Sequence, residues 1–394
     1  MDDAGASLQA TMLATGRAAR EGARALRLST PQQRSTAILA AADAIRDSAA
    51  TILAANAADF AAAKAAGLSA PMLDRMMLDE ARLAAVADAV AQIAAIPDPL
   101  GAEIARWTRP NGLDIARVRT PIGVIAIIYE SRPNVTADAA ALCIRSGNAA
   151  ILRGGSECLR SNLALHAAMA KGLLKAGLPA SCIQQVRTTD RAAVGAILSG
   201  LDRHIDLIIP RGGKSLVARV QAEARAPVLG HLEGLCHVFV HAGADIAKAR
   251  DIVVNAKLRR VSVCGSAETL LIDRAAADRL LPPIADALIR ERCEMRGDAA
   301  ARAIEPTMKQ ASSDDWTTEH LAAILNVAVV DGVEGAAAHI AAYGSGHTDA
   351  IVTEDPEAAE RFIALVDSAI VLVNASTQFA DGGEFGFGAE IGIA

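Results

Sequence analysis

Cys264 stands in the segment NAKLRRVSVCGSAETLLI, where a helical pattern ends and a strand pattern begins. This transition predicts a loop, and loops carry reactive side chains more often than the interiors of helices and strands do. Lys257, Arg259 and Arg260 precede the thiol, and nearby positive charge stabilises the nucleophilic thiolate. The alternative interpretation is a buried structural cysteine, because free cysteine is among the most buried residue types.

Two glycine-rich turns follow strand-like segments and could bind phosphate groups. ILRGGSE ends at Glu157, and IIPRGGKS ends at Ser215. Glycines let the backbone approach a phosphate, a following helix N-terminus adds donors, and Arg153, Arg211 and Lys214 add positive charge. Neither turn matches GxGxxG or the Walker pattern, so an ordinary tight turn is the alternative for each. Two basic turns on one sheet favour a dinucleotide.

A polar segment, YESRPNVT, directly follows a continuous apolar run and contains Asn134. The neutral amide of Asn134 can donate a hydrogen bond to an oxyanion. The alternative role for Asn134 is that of a helix N-cap.

The elements that must position these residues follow from the apolar patterns. The run at 122–128 is typical of a strand buried on both faces of a parallel sheet. Alternation of strands and helices then predicts a doubly wound α/β sheet, and a second alternating unit follows it. Asn111-Gly112 predicts a hairpin within 107–119, and 8–96 has helical spacing. The predicted strands are 122–128, 149–152, 184–186, 206–209, 236–240, 268–272, 325–330, 350–353 and 370–373, with helices at 136–146, 161–176 and 190–200.

Composition excludes several classes of protein. The chain has 394 residues, more than one compact core usually holds, and two or three domains are expected. A net charge of −6 argues against a nucleic-acid partner. No apolar run has the length of a membrane helix, and no secretory signal is visible at the start. Six cysteines without a CxxC pair predict reduced thiols, no metal site and a cytoplasmic location.

The YESRPNVT stretch and further motifs along the whole chain closely resemble the γ-glutamyl phosphate reductases of the aldehyde dehydrogenase superfamily. The other matching segments, in order, are IRSGNA, LRGGSE, IPRGGK, HLEGLCHV, NAK, VC, DWTTE and VNAST. The resemblance implies an aldehyde-dehydrogenase-like α/β fold with two doubly wound domains and a small β-hairpin arm for oligomerisation. The expected NADP-binding domain comprises 1–102 and 121–235, with about 386–394 returning to it. The expected hairpin is 103–120, and the expected catalytic domain is 236–385.

The resemblance also implies roles for individual residues. Cys264 matches the catalytic nucleophile, and Asn134 matches the oxyanion-hole asparagine that would act with the backbone N–H of Cys264. Glu319 resembles the glutamate that holds the nicotinamide ribose. The expected cofactor-binding residues of the two turns are Arg153, Gly154, Gly155, Ser156 and Glu157, and Pro210, Arg211, Gly212, Gly213, Lys214 and Ser215.

The implied reaction is the NADPH-dependent reduction of L-glutamyl 5-phosphate to L-glutamate 5-semialdehyde with release of phosphate, the second step of proline biosynthesis from glutamate. A homo-oligomer is expected, with glutamate 5-kinase as a further partner. Two alternatives stay open: NAD(P)-dependent oxidation of another aldehyde, and an inactive homologue that acts as a binding subunit. The chain departs from the family at Ser262, which precedes Val263, and at Gly265, which follows the cysteine. It ends at Ala394, where members usually continue with a tail that pairs with a partner subunit.

Overall fold

The computed structural model describes residues 3–387, with side chains from residue 7 onward. The chain forms two compact units, of which the first extends to Gly230 and the second begins at His231. Sequence analysis placed this boundary after residue 235. Of the segment expected to return to the first unit, Gly386 and Phe387 belong to the second unit, and 388–394 lies outside the described residues.

The first unit begins with a helical region, as the spacing of apolar residues predicts. Thr30 and Asp79 cap two of its helices by accepting hydrogen bonds from backbone N–H groups at Gln33 and Arg82. Leu26, Ile38, Ile45 and other apolar residues of these helices are buried in one core with the sheet that follows. The helices are α1 Asp3–Leu28, α2 Pro31–Asp47, α3 Ala49–Ala65, α4 Ala70–Met76 and α5 Glu80–Ala95.

A two-stranded antiparallel hairpin follows these helices, which confirms the Asn-Gly prediction. Its strands are β1 Glu103–Thr108 and β2 Asp114–Val118, and Gly112 in the turn has a φ of 87°. Positive φ is readily adopted only by glycine, which explains the residue at this position. The hairpin exposes several large apolar side chains, Ile104, Trp107, Leu113 and Val118.

A four-stranded parallel sheet completes the first unit, in the order β5-β4-β3-β6. Its strands are β3 Val124–Tyr129, β4 Ala149–Arg153, β5 Ile183–Gln185 and β6 Leu207–Arg211. Its helices are α6 Asn134–Arg145, α7 Leu159–Lys175, α8 Ala192–Leu198 and α9 Lys214–Glu223. Every residue of β3 is buried, as its continuous apolar run predicts. Because the strands are parallel, both glycine-rich turns leave the sheet at the edge where β3 ends.

A seven-stranded parallel sheet forms the second unit, in the order β10-β9-β11-β8-β7-β12-β13. Its strands are β7 Cys236–Val240, β8 Ala267–Asp273, β9 Glu294–Gly297, β10 Lys309–Gln310, β11 Ile324–Val330, β12 Thr348–Val352 and β13 Ile370–Val373. Its helices are α10 Ile246–Leu258, α11 Ala277–Arg290, α12 Ala299–Ile304, α13 Gly332–Tyr343 and α14 Pro356–Leu365.

Alternate residues of the central strands enter two different cores, which confirms that this sheet is covered on both faces. Val238 and Leu270 are buried in a cluster with α10 and α11, whereas Phe239 and Leu271 are buried in a cluster with α13 and α14. Sequence analysis missed two strands of this sheet, β9 and β10. Both are short, and the sequences EMRG and KQ carry charges that hide a strand pattern.

The described helices include none that is long and apolar enough to cross a membrane.

Candidate active site

Cys264 lies in the loop between α10 and β8, as predicted, and its side chain is half-buried. The backbone carbonyl of Cys264 accepts a hydrogen bond from the Cys236 thiol, with 3.1 Å between sulfur and oxygen. A Cβ added to Gly234 would lie only 2.0 Å from that carbonyl oxygen. Glycine at 234 therefore allows the cysteine loop to pack against the chain that leads into β7.

Two histidines from separate segments lie beside the thiol. One ring nitrogen each of His231 and His347 and the sulfur of Cys264 all lie within 4.8 Å of one another. Burial, together with His231, lowers the pKa of His347 to about 4. His347 is therefore a neutral imidazole near pH 7, and the lowered pKa makes it a weak base.

The environment of the two imidazoles fixes one of them more firmly than the other. Nδ1 of His347 lies 2.9 Å from the hydroxyl of Thr348. Both ring nitrogens of His231 are buried and have no hydrogen-bond partner among the described residues.

A thiolate and two imidazoles are also ligands of Zn²⁺, a donor set that the sequence-based expectation of no metal did not anticipate.

The cations before Cys264 do not all act on the thiol, which corrects part of the sequence interpretation. Lys257 is fully buried and forms an ion pair with Glu268 at 2.7 Å. Arg259 pairs with Glu384 at 2.7 Å and lies over the ring of Phe379. Lys257 lies in the last turn of α10, and Arg259 directly follows this helix. The helix directs the side chain of Lys257 into the core, where it pairs with the carboxylate of Glu268 on β8.

Glu319 lies close to the cysteine loop within the second unit. Its carboxylate accepts a hydrogen bond from the backbone N–H of Gly234 at 3.0 Å. Gly234 contacts the carbonyl of Cys264, so one glycine connects the two predicted site residues of this unit. Glu319 as a whole is half-buried.

The first glycine-rich turn is held by Glu157. The carboxylate of Glu157 accepts hydrogen bonds from the N–H and the hydroxyl of Ser131, both at 2.8 Å. Ser131 has a φ of 43°, a strained conformation for a residue other than glycine. A Cβ at Gly155 would lie 2.0 Å from the same carboxylate, so a larger residue there would displace the Glu157 side chain from Ser131. Gly154 and Ser156 complete the turn, and Ser156 begins a 3₁₀ helix that leads into α7.

The second glycine-rich turn is held by Glu130. Its carboxylate accepts a hydrogen bond from the N–H of Gly213 at 2.9 Å, and a Cβ at Gly212 would approach it to 2.6 Å. Pro210 and Arg211 end β6, and Lys214 and Ser215 form the first turn of α9. The segment after β3 therefore ties both turns to one edge of the first sheet through Glu130 and Ser131.

Arg153 ends β4 and offers a hydrogen-bond donor at this edge of the sheet. The guanidinium of Arg153 donates to the carbonyl of Gly154, but its Nε is buried without a hydrogen-bond partner among the described residues. Burial lowers the pKa of Arg153; the negative charge of Glu157 opposes this shift, and the positive charge of Arg191 adds to it. A half-buried guanidinium with an unused donor gains energy from an anion.

Asn134 is the first residue of α6 and does not act as its N-cap, which excludes the structural alternative. Pro133 occupies the capping position, and Nδ2 of Asn134 donates to the carboxylate of Asp138 at 2.9 Å. The first unit thus contains Asn134 and both glycine-rich turns, and the second unit contains Cys264 and Glu319.

Sequence analysis assigned no role to His231 and did not single out His347. Their positions beside Cys264 depend on pairing between strands that are distant in sequence. No fixed spacing along the chain therefore predicts that these histidines lie near the thiol. The only sequence signal was the matching HLEGLCHV motif, which begins at His231.

Comparisons with known proteins place this geometry in context. The model of the aldehyde dehydrogenase family matches residues 4–301. A γ-glutamyl phosphate reductase from Caulobacter vibrioides is 78% identical over 383 residues, which cover 97% of this chain and 93% of that protein. The crystal structure of γ-glutamyl phosphate reductase from Thermotoga maritima is 40% identical, has a TM-score of 0.93, and is matched over 97% of this chain and 92% of its own.

A more distant neighbour shares only the fold. It is an engineered glycolyl-CoA reductase with bound NADP⁺, 16% identical with a TM-score of 0.62, matched over 97% of this chain and 90% of its own. These structural matches confirm the aldehyde-dehydrogenase-like α/β fold that the motifs predict.

Proposed function

Because the chain belongs to the aldehyde dehydrogenase family, and within it to the γ-glutamyl phosphate reductases, we propose that it reduces L-glutamyl 5-phosphate through a thioester on Cys264. The chain is an oxidoreductase of proline biosynthesis, and its relatives do not favour oxidation of another aldehyde or an inactive binding subunit. The observation that carries the thioester proposal is the half-buried Cys264 in a loop with imidazole nitrogens within 4.8 Å.

The thiol must lose its proton before it can act as a nucleophile. The imidazoles of His231 and His347 lie within 4.8 Å of the sulfur and are placed to take this proton. Burial lowers the pKa of His347, which makes that imidazole a weaker base. The thiolate then attacks the acyl carbon of the substrate. A carbon–sulfur bond forms, the carbon–oxygen bond to phosphate breaks, and phosphate leaves with the electron pair.

When bound, NADPH would supply the hydride that reduces the thioester carbonyl carbon. The resulting thiohemiacetal stays attached to Cys264 until its carbon–sulfur bond breaks, which releases the aldehyde and restores the thiolate. We assign stabilisation of the oxyanion to the amide of Asn134 on the basis of the family resemblance. A donor in that role typically contributes a factor of about 10² to 10³ in kcat.

NADP(H) is the proposed cofactor, held by the two glycine-rich turns and by Glu319. Arg153 supports the preference for NADP(H), because guanidinium groups accommodate a 2′-phosphate whereas acidic side chains bind a 2′-hydroxyl. The nearest acid of that turn, Glu157, already accepts two hydrogen bonds from Ser131. The carboxylate of Glu319 is proposed to hold the nicotinamide ribose.

Three further assignments belong to the proposal. The exposed apolar hairpin supports self-association, so a homo-oligomer is proposed. Glutamate 5-kinase, which would produce the unstable acyl phosphate, is the proposed protein partner. A cytoplasmic location is proposed from the reduced thiols that the chemistry requires.

The proposal is tested in the reverse direction with glutamate 5-semialdehyde, NADP⁺ and phosphate. The purified protein should form NADPH only when phosphate is present, and Cys264→Ala should lose several powers of ten in kcat. Cys293→Ala is the matched control, because Cys293 is a buried cysteine of the same unit. Undiminished turnover by Cys264→Ala would exclude the thioester mechanism.

A further inference from the structure

A cavity of about 420 Å³ in the first unit has no assigned role. Its volume lies in the usual range for small-molecule sites. It is lined by residues of α4 and α5, by Arg132 in the turn after β3, and by Asn134 and Asp138 on α6. Apolar side chains, including Met77 and Val86, form part of the wall.

Two arginines give one part of the cavity an excess of positive charge. Within the described part of the chain, the guanidinium groups of Arg75 and Arg132 make no hydrogen bond and no ion pair. Arg132 is half-buried, and its pKa is lowered by burial and then by the positive charges of Arg211 and Arg75. An anion bound here would relieve this repulsion, and a carboxylate matches the planar guanidinium group.

Asp138 presents an acceptor in the same cavity. One carboxylate oxygen accepts the hydrogen bond from Asn134 at 2.9 Å, and the other oxygen is buried without a hydrogen-bond partner among the described residues. Burial raises the pKa of Asp138, against the opposing effects of Asn134 and Arg211. A buried acceptor without a partner is costly, and a cationic donor from a ligand would satisfy it.

We propose that this cavity binds the amino-acid end of the substrate, with Arg75 and Arg132 holding the α-carboxylate and Asp138 holding the α-ammonium group. Only a ligand that carries both charges satisfies the two kinds of group at once. Asn134, the proposed oxyanion donor, lines the same cavity, so the proposed oxyanion donor and the proposed charged partners share one space. This inference rests on the proposed function and names the side chains that select the substrate.

The test compares glutamate 5-semialdehyde with two truncated aldehydes in the reverse assay. 5-Oxopentanoate lacks the ammonium group, and 4-aminobutanal lacks the carboxylate. Asp138→Asn should raise KM for glutamate 5-semialdehyde about 10- to 100-fold, the usual effect of losing a charged hydrogen bond, and should leave KM for 5-oxopentanoate unchanged. Arg75→Gln and Arg132→Gln should show the corresponding pattern, with 4-aminobutanal as the insensitive substrate.

A purely structural role for Asp138 predicts a different result. If Asp138 only positions Asn134, Asp138→Asn lowers kcat equally for glutamate 5-semialdehyde and 5-oxopentanoate, and the proposal is overturned. A rise in KM for phosphate in either arginine variant would place the phosphate group in the cavity and would also overturn it. Asp88→Asn is the matched control, because Asp88 is an exposed acid on α5 that pairs with Arg46 outside the cavity.

The outcome is separable from that of the proposed function. If the unaltered protein produces no phosphate-dependent NADPH, the proposed function fails. If the unaltered protein is active and each variant affects full and truncated substrates alike, only the cavity assignment fails. Thermal unfolding of each variant shows whether a loss reflects misfolding, and Arg75→Gln is the most informative variant in that respect because Arg75 is exposed.

Discussion

Gly234 and Cys264 are in direct backbone contact, and the N–H of the same glycine donates to the carboxylate of Glu319. One residue without a side chain thus fixes the spacing between the proposed nucleophile and the proposed ribose ligand. Because the backbone of residue 234 contacts the Cys264 carbonyl and also donates to Glu319, a side chain at 234 would disturb both contacts.

Gly234→Ala should reduce kcat/KM about 100-fold, because a small displacement of a reacting group typically has an effect of that size. The added Cβ would lie 2.0 Å from the carbonyl oxygen of Cys264, and the cysteine loop must move. Steady-state kinetics and the rate of alkylation of Cys264 by iodoacetamide measure the effect. The same substitution at Gly195 is the control, because no atom lies within 4 Å of a Cβ built there. An unchanged kcat/KM in Gly234→Ala would show that the loop tolerates the displacement.

Arg153→Gln should raise KM for NADPH about 10-fold and affect KM for NADH much less, because only NADPH carries the 2′-phosphate. The unused, buried Nε of Arg153 is the reason for this expectation. KM for both cofactors provides the measurement. Arg160→Gln serves as the control, since Arg160 is a largely exposed arginine on α7 that pairs with Asp59. An equal rise for both cofactors would assign Arg153 to a phosphate that NADH and NADPH share.

Lys257→Met should destabilise the second unit in a pH-dependent manner. Burial raises the pKa of Glu268 from 4.5 to about 7, although Lys257 opposes the shift. The contribution of Glu268 to stability is therefore complete below about pH 4.5 and is lost as pH rises through 7. Without Lys257 the pKa rises further, so the cost should be small at pH 5 and reach about 3–5 kcal/mol at pH 8.

Urea unfolding at the two pH values measures this effect. The double variant Lys257→Met/Glu268→Gln is the control, because it contains no carboxyl group that titrates at this position. An equal loss of stability at both pH values would mean that Lys257 contributes through packing alone.

How much could be predicted from the sequence depended on whether a signal was local. The apolar run of β3 and the Asn-Gly hairpin are local, and both were predicted. The strand β9 was missed because half of its four residues are charged. The expectation that all the cations near Cys264 stabilise its thiolate was partly wrong, because spacing along the chain does not reveal that Lys257 points towards Glu268. His347 reaches the thiol only through the pairing of distant strands, which no local pattern encodes.

Zn²⁺ should bind at Cys264 and inhibit the enzyme reversibly, because a thiolate and two imidazoles supply three zinc ligands. Chelation with EDTA should restore activity. Substitution with Co²⁺ gives a readout that does not depend on turnover: a thiolate-to-metal charge-transfer band that is present in Cys293→Ala and absent in Cys264→Ala. Persistence of the band in Cys264→Ala would place the metal elsewhere.

Ile104→Glu/Trp107→Glu should lower the molar mass of the protein in solution, because both apolar side chains are exposed on the hairpin. Light scattering after size-exclusion chromatography measures the mass. Leu174→Glu provides the comparison, since Leu174 is 62% exposed on α7 and lies outside the hairpin. If the double variant and the unaltered protein have the same mass, the hairpin does not hold the oligomer together.

The order of strands in the second sheet has a consequence for how the chain folds. β7 is the first strand of this sheet in the chain, yet one of its two neighbours is β12, which lies more than a hundred residues later. Parallel pairing over such separations is slow, because the entropy of loop closure is lost before the stabilising contacts between the strands can form. During synthesis, therefore, β7 keeps an unpaired edge until most of the second unit has left the ribosome, whereas the four strands of the first sheet can already pair.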